Sequence, residues 1–373
     1  ILWRQILDML KDKKKILNWI ENKLFSKPNS ILGINIGNSY VKMIELKMES
    51  DEFILKNIAY APLFGEKYND DMSRYERIFS AITHLIELHG IQSKDVILSI
   101  GGRDIFERRV EFPKMPDTEL AEAVKWDIEK YVPYEADTYY YDFAILESNM
   151  NNETEILPVM LVAAPMSVVD ENVKMMQELN LHIVAIEGES FALTRTIRTV
   201  ENYIVVDIGK ENGQVLIFQN NIPIAARNIP IFGDSFTEII QSSLSVDSAE
   251  AEMLKQSQQN LIQADDTANE LLITLAKELQ GIVQELSDEI LRTIEYYRVQ
   301  NKDAVVDNIF LTGGGTRING LEQQLEQLIS IPVARHNPFA CLTINDSFDS
   351  NYIKKVSPQF SIAVGLAMRG NVV

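Results

Sequence analysis

Three short apolar runs in this 373-residue chain each end in a turn rich in glycine, and few folds present three such turns in order. The first is Ile34-Asn35-Ile36-Gly37-Asn38-Ser39-Tyr40-Val41-Lys42. The second is Val205-Val206-Asp207-Ile208-Gly209-Lys210-Glu211-Asn212-Gly213, and the third runs from Phe310 to Arg317 through Thr312-Gly313-Gly314-Gly315-Thr316. In the first two, a polar residue closes the strand and a glycine follows two residues later at the tip of a hairpin. Glycine suits that place because a Cβ would keep the backbone amides away from a phosphate. Two such hairpins can clamp a polyphosphate, and a carboxylate beside them, Asp207 above all, would hold Mg²⁺ through its waters. The third turn suits a planar base against bare backbone, with a helix N-terminus near anionic groups. Each turn alone is an ordinary connection of an α/β protein; the ordered set is what points to a nucleotide. No Gly-x-x-x-x-Gly-Lys-Ser/Thr and no strand-borne Gly-x-Gly-x-x-Gly is present, which excludes the P-loop and Rossmann readings.

Hydrophobic periodicity places elements around these turns. Ile31 to Leu46 reads as a hairpin, Phe53 to Ala59 as a third strand, Tyr75 to His89 as a helix and Val96 to Ile100 as a buried strand. From Arg108 the texture changes, as expected of an insertion. Arg109 to Phe112 is strand-like, Asp117 can cap a helix from Glu119 to Tyr131, and strands follow at Tyr139 to Leu146 and Ile156 to Ala164. A helix at Asp170 to Leu179 and a strand at Ile183 to Ile186 come next. The opening theme then repeats: strands at Tyr203 to Ile208, Gln214 to Gln219 and Ile222 to Asn228, helices at Ser235 to Leu244 and Asn269 to Gln300, a strand at Asn308 to Leu311 and a helix at Gly320 to Leu328.

Charge sets one segment apart. The chain carries −19 overall, but residues 1–30 carry +4 and the remainder −23. Apolar residues Leu2, Ile6, Met9, Leu10, Ile16, Ile20 and Leu24 recur there at helical spacing, so 1–30 reads as a basic amphipathic helical extension, against an anionic membrane face or a groove of its own domain. The acidic body argues against nucleic acid as a partner. The longest apolar stretch, Ile156 to Met166, is far short of the roughly 20 residues of a membrane span. The single cysteine, Cys341, excludes an internal disulfide framework, so a reducing cytoplasm is expected.

The two hairpins and the late triple-glycine turn resemble the phosphate-1, phosphate-2 and adenosine motifs of the actin-like superfamily. The segments between them are more specific. Phe112-Pro113-Lys114-Met115-Pro116, Ala121 to Trp126, Tyr131-Val132-Pro133-Tyr134, Leu161-Val162-Ala163-Ala164-Pro165, Glu189 to Leu193, Ile229-Pro230 with Gly233, and Pro358 to Gly370 are similar to the PilM family of type IV pilus assembly proteins. The resemblance spans about residues 31–370. It implies an α/β, actin-like (ribonuclease H-like) two-lobed fold with an inserted α+β subdomain. Residues 31–107 would belong to the first lobe, 108–180 to the insertion, and 181–373 to the remainder of the first lobe and the second lobe.

Further implications of the resemblance are ATP with Mg²⁺ as cofactors and the N-terminal cytoplasmic peptide of PilN as partner, with pilus motor ATPases and the platform protein beyond it. It implies peripheral association with the cytoplasmic face of the inner membrane and leaves homo-oligomer formation open. Nucleotide contacts are expected at Asn35, Gly37, Asn38, Ser39, Lys42, Asp207, Gly209, Lys210, Gly313, Gly314, Gly315 and Thr316, with Asp207 toward the metal. Glu289 and Arg292 sit where superfamily members reach the ribose or adenine; an exposed ion pair between them is the alternative. Lys42 and Lys210 have surface lysines beside a turn as theirs, and Glu189 a solvated acid at a helix start. The family pattern has Asp where this chain has Asn35, so weak or absent ATP hydrolysis and a scaffold role are expected. An active ATPase or kinase of the superfamily, or an FtsA-like cell-division filament protein, is the rival reading.

Overall fold

The computed structural model describes residues 30–369 except 66, 67, 69, 70, 103, 147–154, 199, 258, 264–268 and 301–304. The extension expected at 1–30 therefore lies almost wholly outside the described residues. The chain forms two compact units, one of residues up to Ala192 together with 365 onward, the other of Leu193–Val364.

In the first unit β1 (Ile31–Ile36), β2 (Tyr40–Glu49), β3 (Glu52–Pro62), β4 (Asp95–Ile100) and β8 (His182–Gly188) form a sheet ordered β3-β2-β1-β4-β8. The first three pair antiparallel, and β1, β4 and β8 run parallel. α1 (Arg74–His89) buries Ile78, Ala81, Ile82 and Leu85 against this sheet; a Ser73–Glu76 capping box starts it and Gly90, at φ 60°, ends it. Between β4 and β8 a separate antiparallel sheet, β5 (Phe106–Pro113), β6 (Tyr139–Ile145) and β7 (Ile156–Pro165) in the order β5-β7-β6, packs on α2 (Asp117–Asp127) through Val110, Phe112, Leu120, Val124 and Val159. Pro116, not Asp117, is the N-cap of α2, and the last turn tightens to 3₁₀ at Ile128–Lys130. α3 (Met166–Glu178) buries Val169, Met175 and Met176 in the core of the first sheet rather than of the small one.

The second unit repeats the plan. β9 (Tyr203–Ile208), β10 (Gly213–Gln219), β11 (Ile222–Ile229), β12 (Asn308–Thr312) and β13 (Val333–Arg335) lie in the order β11-β10-β9-β12-β13, with the same sequence of antiparallel and parallel pairings. Even details recur. Two-residue turns with both φ positive, Ser50-Asp51 and Asn220-Asn221, join the second and third strands of each sheet, and a bulge interrupts each pair, at Glu45/Leu46 and Ile217/Phe218. α5 (Gly233–Leu244), α6 (Ser248–Lys255), the long α7 (Glu270–Gln300) and α8 (Leu321–Ile329) cover this sheet, burying Phe236, Ile240, Leu279, Val283, Leu286 and Leu325. Short helices α4 (Glu189–Thr196), α9 (Ser350–Val356) and α10 (Ser361–Arg369), which the periodicity did not mark, complete the chain.

Candidate functional site

In the first unit the β1–β2 hairpin closes with Gly37 N donating to Tyr40 O at 2.9 Å. Asn35, facing inward from β1, is buried, and its Nδ2 donates both hydrogens, to Ser99 Oγ at 2.9 Å and to Glu189 Oε1 at 2.7 Å. Sequence reasoning treats Asn35 as a carboxylate lost; the geometry gives it a second meaning. A carboxylate stands next to it, supplied by the first residue of α4, and the amide donates to it. Glu189 is thus tied into the hairpin's base rather than solvated. Ser39 is buried, Asn38 exposed, and Lys42, across the register from Asn35, is half-buried.

Two more acids crowd this corner. Glu107 on β5 accepts from Ser190 Oγ at 2.5 Å, while its Oε1 is buried without a partner. Burial pushes this carboxyl up to about 7, the Ser190 bond pulls it down, and the neighbouring Glu189 and Glu187 carboxylates raise it further. Glu187 pairs with Arg369 at 2.6 Å. The carboxyl groups of Glu189 and Glu107 lie against Gly101 and Gly188 respectively, where an added Cβ would displace them. Among the described residues no set of His, Cys, Asp and Glu is arranged to hold a metal ion directly.

In the second unit three backbone turns converge. Asp207, at the end of β9, accepts from Thr312 Oγ1 at 2.9 Å, its register partner on β12, which leaves Oδ2 for another donor. Gly209 O accepts from Gly233 N at 2.8 Å and Lys210 O from Asp234 N at 2.9 Å, so the first turn of α5 is bonded to the β9–β10 turn. Gly315 backs onto Gly233 and Ile208, and Gly313, at φ 86°, has no room for a Cβ beneath Ile208 O and Asp207 Oδ1. Gly314 differs: an added Cβ would meet only Gln359 Oε1, at 3.5 Å. Thr316 Oγ1 donates to Gly313 O at 2.8 Å and locks the turn. Asp207, Gly209, Lys210, Gly313, Gly314, Gly315 and Thr316 are therefore gathered in one place.

Two supports of that place are Gly233, which the sequence analysis quoted only as part of a family stretch, and Lys255, which sequence reasoning missed. The Lys255 ammonium is buried under α5, donating to Gly233 O at 3.1 Å and Thr237 Oγ1 at 2.7 Å and pairing with Glu252 at 2.6 Å. Burial lowers its pKa, opposed by Glu252; burial also pushes Glu252 up, but Lys255, Gln256 and Thr237 outweigh it and hold that acid below its ordinary value. The Asp247 cap three residues before Glu250 was the available signal for this helix. Lys210 lies 3.9 Å from Asp234 and 4.0 Å from Glu211. Glu289 bridges Arg292 at 2.6 Å and Arg227 at 3.1 Å, so the ion-pair alternative describes what these two side chains do in the structure.

The family model described as type IV pilus assembly protein PilM matches residues 33–371. A solved PilM-PilN type IV pilus biogenesis complex is 24% identical, covers 92% of this chain and 99% of its own, and superposes with a TM-score of 0.76. MreB5 of Spiroplasma citri bound to ADP (11% identical, 92% and 97% covered, TM-score 0.52) and the ethanolamine utilization protein EutJ from Carboxydothermus hydrogenoformans (11%, 91% and 90%, 0.51) are more distant. The fold is that of the actin-like ATPases.

Proposed function

Because the chain belongs to the type IV pilus assembly protein PilM family, and so serves type IV pilus assembly, we propose that it does so as an ATP-binding scaffold. ATP would be held by Gly37, Asn38, Ser39 and Lys42 and by Asp207, Gly209, Lys210, Gly313, Gly314, Gly315 and Thr316. Mg²⁺ fits the free Oδ2 of Asp207 through water, in keeping with an ion that retains most of its hydration shell. The insertion at residues 108–180 would receive the N-terminal peptide of a PilN-type protein; a solved complex of PilM with PilN supports that reading. Among the described residues no helix is long and apolar enough to cross a membrane, and attachment to the cytoplasmic face of the inner membrane would come through such a partner.

The observation that carries the nucleotide reading is the contrast within the third turn. Gly313 and Gly315 are packed against backbone, whereas Gly314 faces space that a base would occupy. Gly314→Phe should therefore fold and lose ATP binding by calorimetry. Unchanged ATP affinity in the folded variant overturns the assignment.

A further inference from the structure

β3 returns the chain to the tip of the first glycine hairpin. Tyr40 pairs with Pro62 in the register, and Leu63 N donates to Ser39 O at 2.9 Å. α1 begins from that end of the sheet, and its first residue, Arg74, donates from Nη2 to the carbonyl of Gly37 at 3.1 Å. The helix's own terminal amide is met by the capping box: Ser73 Oγ accepts from Glu76 N, and the Glu76 carboxylate accepts from Ser73 N and Oγ. The positive group this terminus offers is consequently a side chain.

Arg74 makes no ion pair with a carboxylate among the described residues, nor does Arg77 one turn on, whose Nε is buried without a hydrogen-bond partner. In a chain of net charge −19 an arginine without a carboxylate calls for a reason. Its guanidinium carries five donors in a planar fork suited to phosphate oxygens, and the Gly37 carbonyl takes one of them. Near the end of β1, Asn35 is neutral and donates to the Glu189 carboxylate, so the negative charge at the hairpin's base is already hydrogen-bonded.

We propose that Arg74 is a phosphate-contacting residue of the nucleotide site, anchored on the Gly37 carbonyl and directed at the outer phosphates of a nucleoside di- or triphosphate. This rests on the nucleotide reading above and adds a residue that none of the three glycine motifs contains. Because the contact is to phosphate, it discriminates by phosphate number.

The test is calorimetry of the full chain with ATP and AMP, for wild type, Arg74→Gln and Arg74→Lys. Arg74→Gln should weaken ATP about tenfold, the scale of one charge-assisted hydrogen bond, and leave AMP within about twofold. Arg74→Lys, which keeps the charge but not the fork, should recover part of the loss. Equal ATP affinity in Arg74→Gln and wild type overturns the proposal, as does an equal loss for ATP and AMP, which would mean that Arg74 only shapes the turn. A wild type that binds neither nucleotide overturns the nucleotide reading itself. Arg74 is exposed, and matching unfolding temperatures establish that the variants fold.

Discussion

Asn35→Asp keeps shape and changes one hydrogen-bond donor into a charge. In the wild type Nδ2 lies 2.7 Å from Glu189 Oε1, in a partly buried setting. The variant would set two carboxylate oxygens at that separation and lose a hydrogen bond to a charged group, about 1.5–3 kcal/mol. If both acids stayed ionised, their repulsion at an effective dielectric of about 20 would be on the order of 6 kcal/mol. Retaining one proton is the cheaper course, since protonating a carboxyl of ordinary pKa near 4 at pH 7 costs roughly 4 kcal/mol, and the resulting O–H···O⁻ bond returns part of it. A net loss of about 2–4 kcal/mol follows, or roughly 5–10 °C in unfolding temperature for a unit of this size. The sign with pH is fixed. The pair's folded pKa is raised above its unfolded value, so the penalty is absent near pH 4 and grows as pH rises, by about 1.4 kcal/mol per unit until the pair's raised pKa is passed. Thermal unfolding followed by circular dichroism at pH 5.5 and 7.5 reads it. Unfolding temperatures for Asn35→Asp equal to wild type at pH 7.5 would show that the amide does not hold Glu189, and would return Asn35 to the simpler role of a lost charge.

The Glu107 carboxyl, raised to about 7 by burial first, makes the folded state lose stability as pH climbs from about 4.5 to 7; Glu107→Gln cannot ionise and should lack that part of the loss, roughly 3 kcal/mol across the window. Parallel pH profiles of denaturant midpoints for the two proteins would count against it. Excising residues 108–161 and joining Glu107 to Val162, its cross-strand partner, through a short glycine-rich turn should abolish capture of a PilN-type peptide in a pull-down while ATP binding persists. Peptide capture by the excised protein would place the docking surface elsewhere.

The repeated sheet plan was readable from the sequence, because β1, β4, β9 and β12 are each a mostly apolar run that stops at a glycine. β1 and β9 match their expected starts, and β9 its expected end. The glycine turns were readable for the same reason: their chemistry is local. What was not readable depends on distance along the chain. Asn35 and Glu189 are 154 residues apart, and nothing near either residue announces the other. Lys255 sits in a short, polar-looking helix where periodicity gives no hint that its ammonium is buried. α10 was hidden by Gly365, which reads as a breaker, yet the backbone of Ala192 lies where its Cβ would be.

The two matching sheets invite a comparison of what fills the same gap in each. After β4 the chain makes the whole β5-α2-β6-β7 module before α3; after β12 it makes only the turn Gly313–Gly320 before α8. Lengthening a surface connection costs little chain entropy, so either gap could in principle accept new material. Only one is open. The module leaves and rejoins its unit side by side, Phe106 opposite Ala163, and can be exchanged as a cassette, whereas Gly313 and Gly315 are wedged against Ile208 and tolerate no added atom. One half keeps its connection fixed by its glycine turn and the other closes its connection between neighbouring strands, so the module is exchangeable without touching the residues gathered around Asp207.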